Sequence, residues 1–169
     1  MAAKTGTYTL IASNTLGSAA ADVTFSSIPG TYTDLVIVAN GLVTTAGDNI
    51  QMQFNSDTAT NYSTTILEGN GTAASSTRLT TKSFISIDDY GFWDTVNRSV
   101  TIVNIMDYAN TTTYKTCLSR ANNANNGLSA CVGLWRSTSA ITSVKLNPNI
   151  RTFDTGSTFK LYGIEAGNL

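Results

Sequence analysis

The sequence predicts an all-β protein, an antiparallel β-sandwich or barrel of about ten short strands. Three observations carry this. Apolar and β-branched residues recur in short runs, several with a period of two. No helical period persists beyond a turn or two. Gly, Pro, Asn and Asp cluster between the runs, where turns belong. At 169 residues the chain fits one domain with one good core.

In chain order, the first strands lie at 7–12 and 21–27. Pro29-Gly30 then makes a turn, because Pro presets φ and Gly accepts the positive φ that follows. The strand at 34–40 carries the aliphatic run Leu35-Val36-Ile37-Val38. At 49–55, Ile50, Met52 and Phe54 share one face while Gln51 and Gln53 share the other. Strands at 62–67 and 83–88 follow, separated by a polar stretch, Asn70 to Arg78, that reads as a surface loop. Asp88-Asp89-Tyr90-Gly91 reads as a turn. The run at 97–106 contains the nearly continuous SVTIVNIM, which belongs in the middle of a sheet. Strands at 114–120 and 128–136 flank the polar loop from 121 to 127. The last two, at 141–146 and 158–164, bracket the turn Asn147-Pro148-Asn149. Nothing divides the chain, so residues 7–169 read as one domain behind a short N-terminal arm, 1–6.

Composition narrows the function. More than a third of the residues are Thr, Ser or Asn, and only 12% are charged. Net charge is -1 with no block of like charges, so no nucleic-acid partner is indicated. No basic amphipathic helix marks a membrane surface, and no apolar run is long enough to span one. The N-terminal MAAKTGTYTL has no apolar core of the signal-peptide kind. The sequons at Asn61, Asn70, Asn97 and Asn110 therefore read as chance products of an Asn- and Thr-rich chain.

The residues offer little chemistry. There is no histidine, which removes the commonest general base and the usual zinc ligand. Cys117 and Cys131 have no metal-binding spacing and read as buried free thiols, with a single bridge left open. A glycosidase needs two opposed carboxylates. Asp88, Asp89 and Asp94 are the best candidates, beside Tyr90, Phe92 and Trp93, yet an Asp-rich turn explains them better. Their spacing is not that of an EF-hand. The glycines of ILEGNGTAASSTR lack the Gly-Lys-Ser/Thr of a phosphate loop. Trp93 and Trp135 read as core. No catalytic, cofactor-binding or metal residue is assigned, no cofactor is expected, and the protein is not read as an enzyme.

A β-framework with an uncharged polar surface and no signal peptide suits a protein released by lysis, such as a virion component. Five segments carry a resemblance: SSIPGTYTDLVIV, NIQMQFNSDTATNYSTTILEGNGTAASS, IVNIMDYANTTTYKTCLSR, VGLWRSTSAITSVKL and FDTGSTFKLYGI. In that order they resemble the small β-sandwich proteins and domains of tailed bacteriophage virions, from about Ser26 to Ile164. The resemblance implies a jelly-roll-like sandwich, often trimeric, and carries no catalytic residues. With only 1–6 ahead of the first strand, the chain is expected to be a capsid decoration (cement) protein. Such a protein is made in the host cytoplasm and sits on the capsid surface. It binds copies of itself and the major capsid protein. The alternative is a tail-fibre or tail-tip head that binds tail proteins and a host surface glycan.

Overall fold

The computed structural model describes residues 7–165, those from 90 to 92 by their backbone alone. Among the described residues the period-two pattern becomes twelve strands. They are β1 (Tyr8–Thr15), β2 (Val23–Phe25), β3 (Asp34–Gly41), β4 (Asp48–Phe54), β5 (Tyr62–Gly69) and β6 (Ala74–Lys82). The chain continues with β7 (Ile85–Trp93), β8 (Ser99–Met106), β9 (Lys115–Asn123), β10 (Gly127–Trp135), β11 (Val144–Pro148) and β12 (Thr158–Ile164). Every pairing is antiparallel.

The strands form two sheets that sandwich one core. The larger runs β1-β12-β3-β8-β9-β10-β5-β6 and the smaller β2-β11-β4-β7. With the hairpins β5–β6 and β9–β10 set aside, two four-stranded sheets remain, β1-β12-β3-β8 and β2-β11-β4-β7. This is the interleaved double Greek key of a jelly roll. The two hairpins widen the larger sheet, with β7 packed beneath β9–β10 and β6 lying past the smaller sheet.

The inner faces supply the core, with Leu35, Ile37, Val103 and Ile105 of the larger sheet against Ile50, Met52, Val144 and Leu146 of the smaller. An aromatic cluster plugs each end. Trp93 stacks on Phe159 and meets Phe153, and at the other end Tyr62 stacks on Trp135 beside Phe54. Both tryptophans are buried, as their sequence context indicated.

Three local readings are corrected. Asn147 and Pro148, expected in a turn, are the end of β11 and pair with Gln51 and Ile50. The stretch Asn70 to Arg78 is a loop only to residue 73, and the strand β6 occupies Ala74–Lys82. Its residues are exposed on both faces, because no strand of the smaller sheet lies beneath it, so period-two alternation had nothing to act on. The four residues Asp88, Asp89, Tyr90 and Gly91 are not a turn but the second half of β7. A register shift there places Asp88 opposite Ile50 and Ser86 opposite Gln51, so the strand bulges rather than turns. The N-terminal arm, 1–6, lies outside the described residues.

Candidate functional site

The acidic cluster does not assemble into a site. Asp88 is buried and points inward, where Ser129 Oγ donates to it at 3.4 Å. Asp89 faces the other way and accepts from Ser86 Oγ at 2.8 Å and Asn49 Nδ2 at 3.4 Å. Burial raises its pKa and nearby Glu68 adds to the rise, against the Ser86 hydrogen bond and Lys82. Asp94 caps its own turn, accepting from Asn97 Nδ2 and Thr95 N, and the Asn97 bond leads in holding its carboxyl below the usual range. The side chains of Tyr90 and Phe92 lie outside the described residues. The carboxylates thus take opposite sides of one strand, with no cleft between them.

The cysteines are buried and unbridged. They share the inner face of the β9–β10 hairpin, where Cys117 is opposite Gly133 and Cys131 opposite Ser119. Burial pushes both thiols up to about 12, which leaves them unreactive at neutral pH. The space there is tight. A Cβ on Gly133 would lie 2.5 Å from Ile85 and 2.7 Å from Cys117 Sγ.

The segments that carry the family resemblance meet at one end of the sandwich and brace its loops. Asn55 donates to Ala140 O at 2.8 Å and accepts from the amides of Thr142 and Ser143. Asp57 accepts from Trp135 Nε1 at 2.7 Å and Asn61 Nδ2 at 2.9 Å. Burial works to raise the Asp57 pKa, but hydrogen bonds from Asn61, Trp135 and Ala59 outweigh it and hold the carboxyl low. Tyr108 OH donates to Pro29 O, and its own carbonyl accepts from Ile141 N. Buried Lys115 donates Nζ to Thr113 O and Thr138 O, an environment that lowers its pKa through desolvation. The ring of Tyr32 lies over Gly163, where a Cβ would come within 2.3 Å of it. The motif residues are framework.

The sequon asparagines are also engaged in turns. Asn70 and Asn110 accept backbone amides two and three residues on, while Asn61 and Asn97 donate to aspartates. A shallow cavity of about 170 Å³, lined by Glu68, Gly69, Asn70, Ala73 and Ser75, sits at the β5–β6 turn. It is smaller than the ~300 Å³ at which small-molecule sites begin.

What stands out is a surface. On the β9–β10 hairpin the inward positions hold small residues, among them Cys117, Ser119, Ala121, Ser129, Cys131 and Gly133, while larger Leu118, Leu128 and Val132 face out. The cause is the close approach of β7, whose Ile87 carbonyl accepts from Ser119 Oγ at 3.0 Å. With Leu67 of β5 and Met106 of β8, these residues are 42 to 56% exposed. Half-buried Val38, Val100 and Ile102 carry the apolar surface across β3 and β8, and Leu10, Tyr8 and Tyr162 continue it onto β1 and β12. The ionised groups at outward positions of β3, β8, β9, β10 and β12 are Asp34, Arg120 and Lys160. This face was not recognised in the sequence. Its signal is there: Leu118 and Arg120 share one parity while Cys117 and Ser119 share the other.

No protein-family model and no curated protein matches the chain. Among solved structures, galectin LEC-6 of Caenorhabditis elegans is similar at 7% identity, over 95% of this chain and 96% of that one. The TM-score is 0.35, and a likeness so distant carries no argument.

Proposed function

We propose that the protein is a structural component of a tailed-bacteriophage virion. In this reading it is a capsid decoration protein that binds as a homotrimer and clamps neighbouring capsomers. One observation carries the reading: the segments that resemble virion sandwich proteins interlock to brace the loops at one end of the body. The most distinctive residues of the chain serve rigidity. A clamp needs that property, since internal DNA pressure pulls capsomers apart and a stiff bridge across their seam resists it. Each contact can be weak, because trimer symmetry multiplies it. The partner in this reading is the major capsid protein, and the location is the outer capsid surface.

The test is reconstitution. Particles lacking the protein should assemble, then release DNA at a lower temperature than complete ones. Adding purified protein back should restore the threshold stoichiometrically, without turnover. Particles equally stable without the protein, yet unable to adsorb to cells, would overturn the reading in favour of a receptor-binding tail head.

A further inference from the structure

We infer that the outer face of the eight-stranded sheet is the surface through which copies of this chain associate. The inference rests on the proposed function only for the number of copies, three.

The first argument is the size inversion. The β9–β10 hairpin turns its larger aliphatic residues away from the core, which monomer stability alone does not reward. Leu67, Met106, Leu118, Leu128 and Val132 together leave on the order of 400 Å² of apolar surface in water, the size of the largest patch on a monomer, which is often functional. The second argument is extent. Eight strands about 4.8 Å apart, each of about eight residues rising about 3.3 Å, give a face of roughly 1,000 Å². In a ring of three each copy meets two neighbours, so roughly 500 Å² goes to each contact and about 1,000 Å² is buried between two copies, the lower bound for a specific interface.

The third argument is charge, and it selects the occupant. The face presents mostly Val, Ile, Leu, Thr and Asn, with Asp34, Arg78, Arg120 and Lys160 as its charged side chains, so it offers no dense pattern for a strongly charged partner to read. A sparsely charged β-surface fits another of its own kind, and in a ring one part of the face meets a different part of a neighbour's face. A second copy supplies that surface at equal concentration. Asp34 on β3 is acidic, while Lys160 on β12 and Arg120 on β9 are basic and lie on one row across the sheet through Val38 and Ile102. Contact between unlike regions pairs them, which is the geometry of a closed ring.

Light scattering on the purified full chain tests this, with Leu118→Lys combined with Val132→Lys, two residues directly opposite one another on β9 and β10. The native protein should scatter as about three times 17.9 kDa, and the variant as one. Leu118→Thr with Val132→Thr keeps β-propensity if the lysines prevent folding, and should weaken association at least about tenfold. Gln51→Lys with Asn147→Lys, on the smaller sheet, should leave the mass unchanged. A native chain that stays monomeric at particle-level concentrations overturns the inference, as does a folded face variant that still associates. A face variant that keeps its native mass but no longer binds capsids also overturns it, and assigns the face to the shell. If the native chain associates through this face but does nothing for particle stability, the inference stands and the decoration reading falls.

Discussion

The two sheets of the sandwich bury their inner faces in the same core but treat their outer faces differently. On the smaller sheet, Gln51, Gln53, Lys145 and Asn147 face outward, and hydrogen bonds tie down Gln51, Gln53 and Asn147. Gln51 Nε2 donates to Asn149 Oδ1 at 2.8 Å, Asn147 Nδ2 to Gln51 Oε1 at 3.4 Å, and Gln53 Nε2 to Ser83 O at 2.8 Å. This is the usual division of an antiparallel sheet, apolar inside and polar outside. The larger sheet breaks the division, since Leu118, Val132 and their neighbours leave apolar surface in water. The difference teaches that a shared core does not dictate a shared exterior: one outer face is polar and hydrogen-bonded, and the other leaves aliphatic side chains exposed.

Substitutions at four positions probe that difference and the braced loop end beside it. The largest effect is expected where the inversion is enforced. Gly133→Ala drives a methyl group into Ile85 and the Cys117 thiol, and overpacking of this kind costs about 2 to 3 kcal/mol. Denaturant unfolding of the purified protein measures it. A cost near zero would mean that β7 does not press on the hairpin and that the small inner residues need another cause.

Asp57→Ala comes next, because it tests the braced loop end rather than either face. It removes the acceptor of the buried Trp135 indole and should cost about 2 kcal/mol at neutral pH. The pH dependence has a definite sign. The folded-state pKa of Asp57 is depressed, so its contribution is present above the ordinary value of 3.8 and is lost as pH falls below that toward the folded pKa. Asp57→Asn should flatten that acid limb, and an unchanged acid melting profile would remove Asp57 from the brace.

The smallest effects sharpen the comparison most. Gln51→Thr and Leu118→Thr should each change the unfolding free energy by no more than about 0.5 kcal/mol when measured on dilute monomer. A larger loss from Leu118→Thr would make that side chain a stability element and weaken its assignment to association.

Much of this was legible in the sequence. Alternation in NIQMQFN placed Ile50, Met52 and Phe54 inward, as found, and the continuous run SVTIVNIM marked β8 for the middle of a sheet with two apolar faces. Other features were hidden because they depend on distance between layers. The strand β6 covers nothing, so ASSTRLTTK shows no inward parity. The β9–β10 face was obscured because a reader expects leucine inside and serine outside. Only the closeness of β7 reverses that expectation. The Asn55, Asp57 and Trp135 brace joins segments about eighty positions apart, a contact that no local pattern encodes.

The most direct measurement of the central claim uses the silence of the native thiols. Cys117 and Cys131 are buried with pKa values pushed up to about 12, so a thiol introduced at the surface reports alone. Val132→Cys places one on the larger sheet's outer face and Gln51→Cys places one on the smaller sheet's. Maleimide labelling is then followed in concentrated and in dilute protein. The account predicts fast labelling of the Gln51→Cys protein at every concentration. It predicts slow labelling of the Val132→Cys protein when concentrated and fast labelling on dilution. Equal rates for the two proteins at high concentration would contradict it.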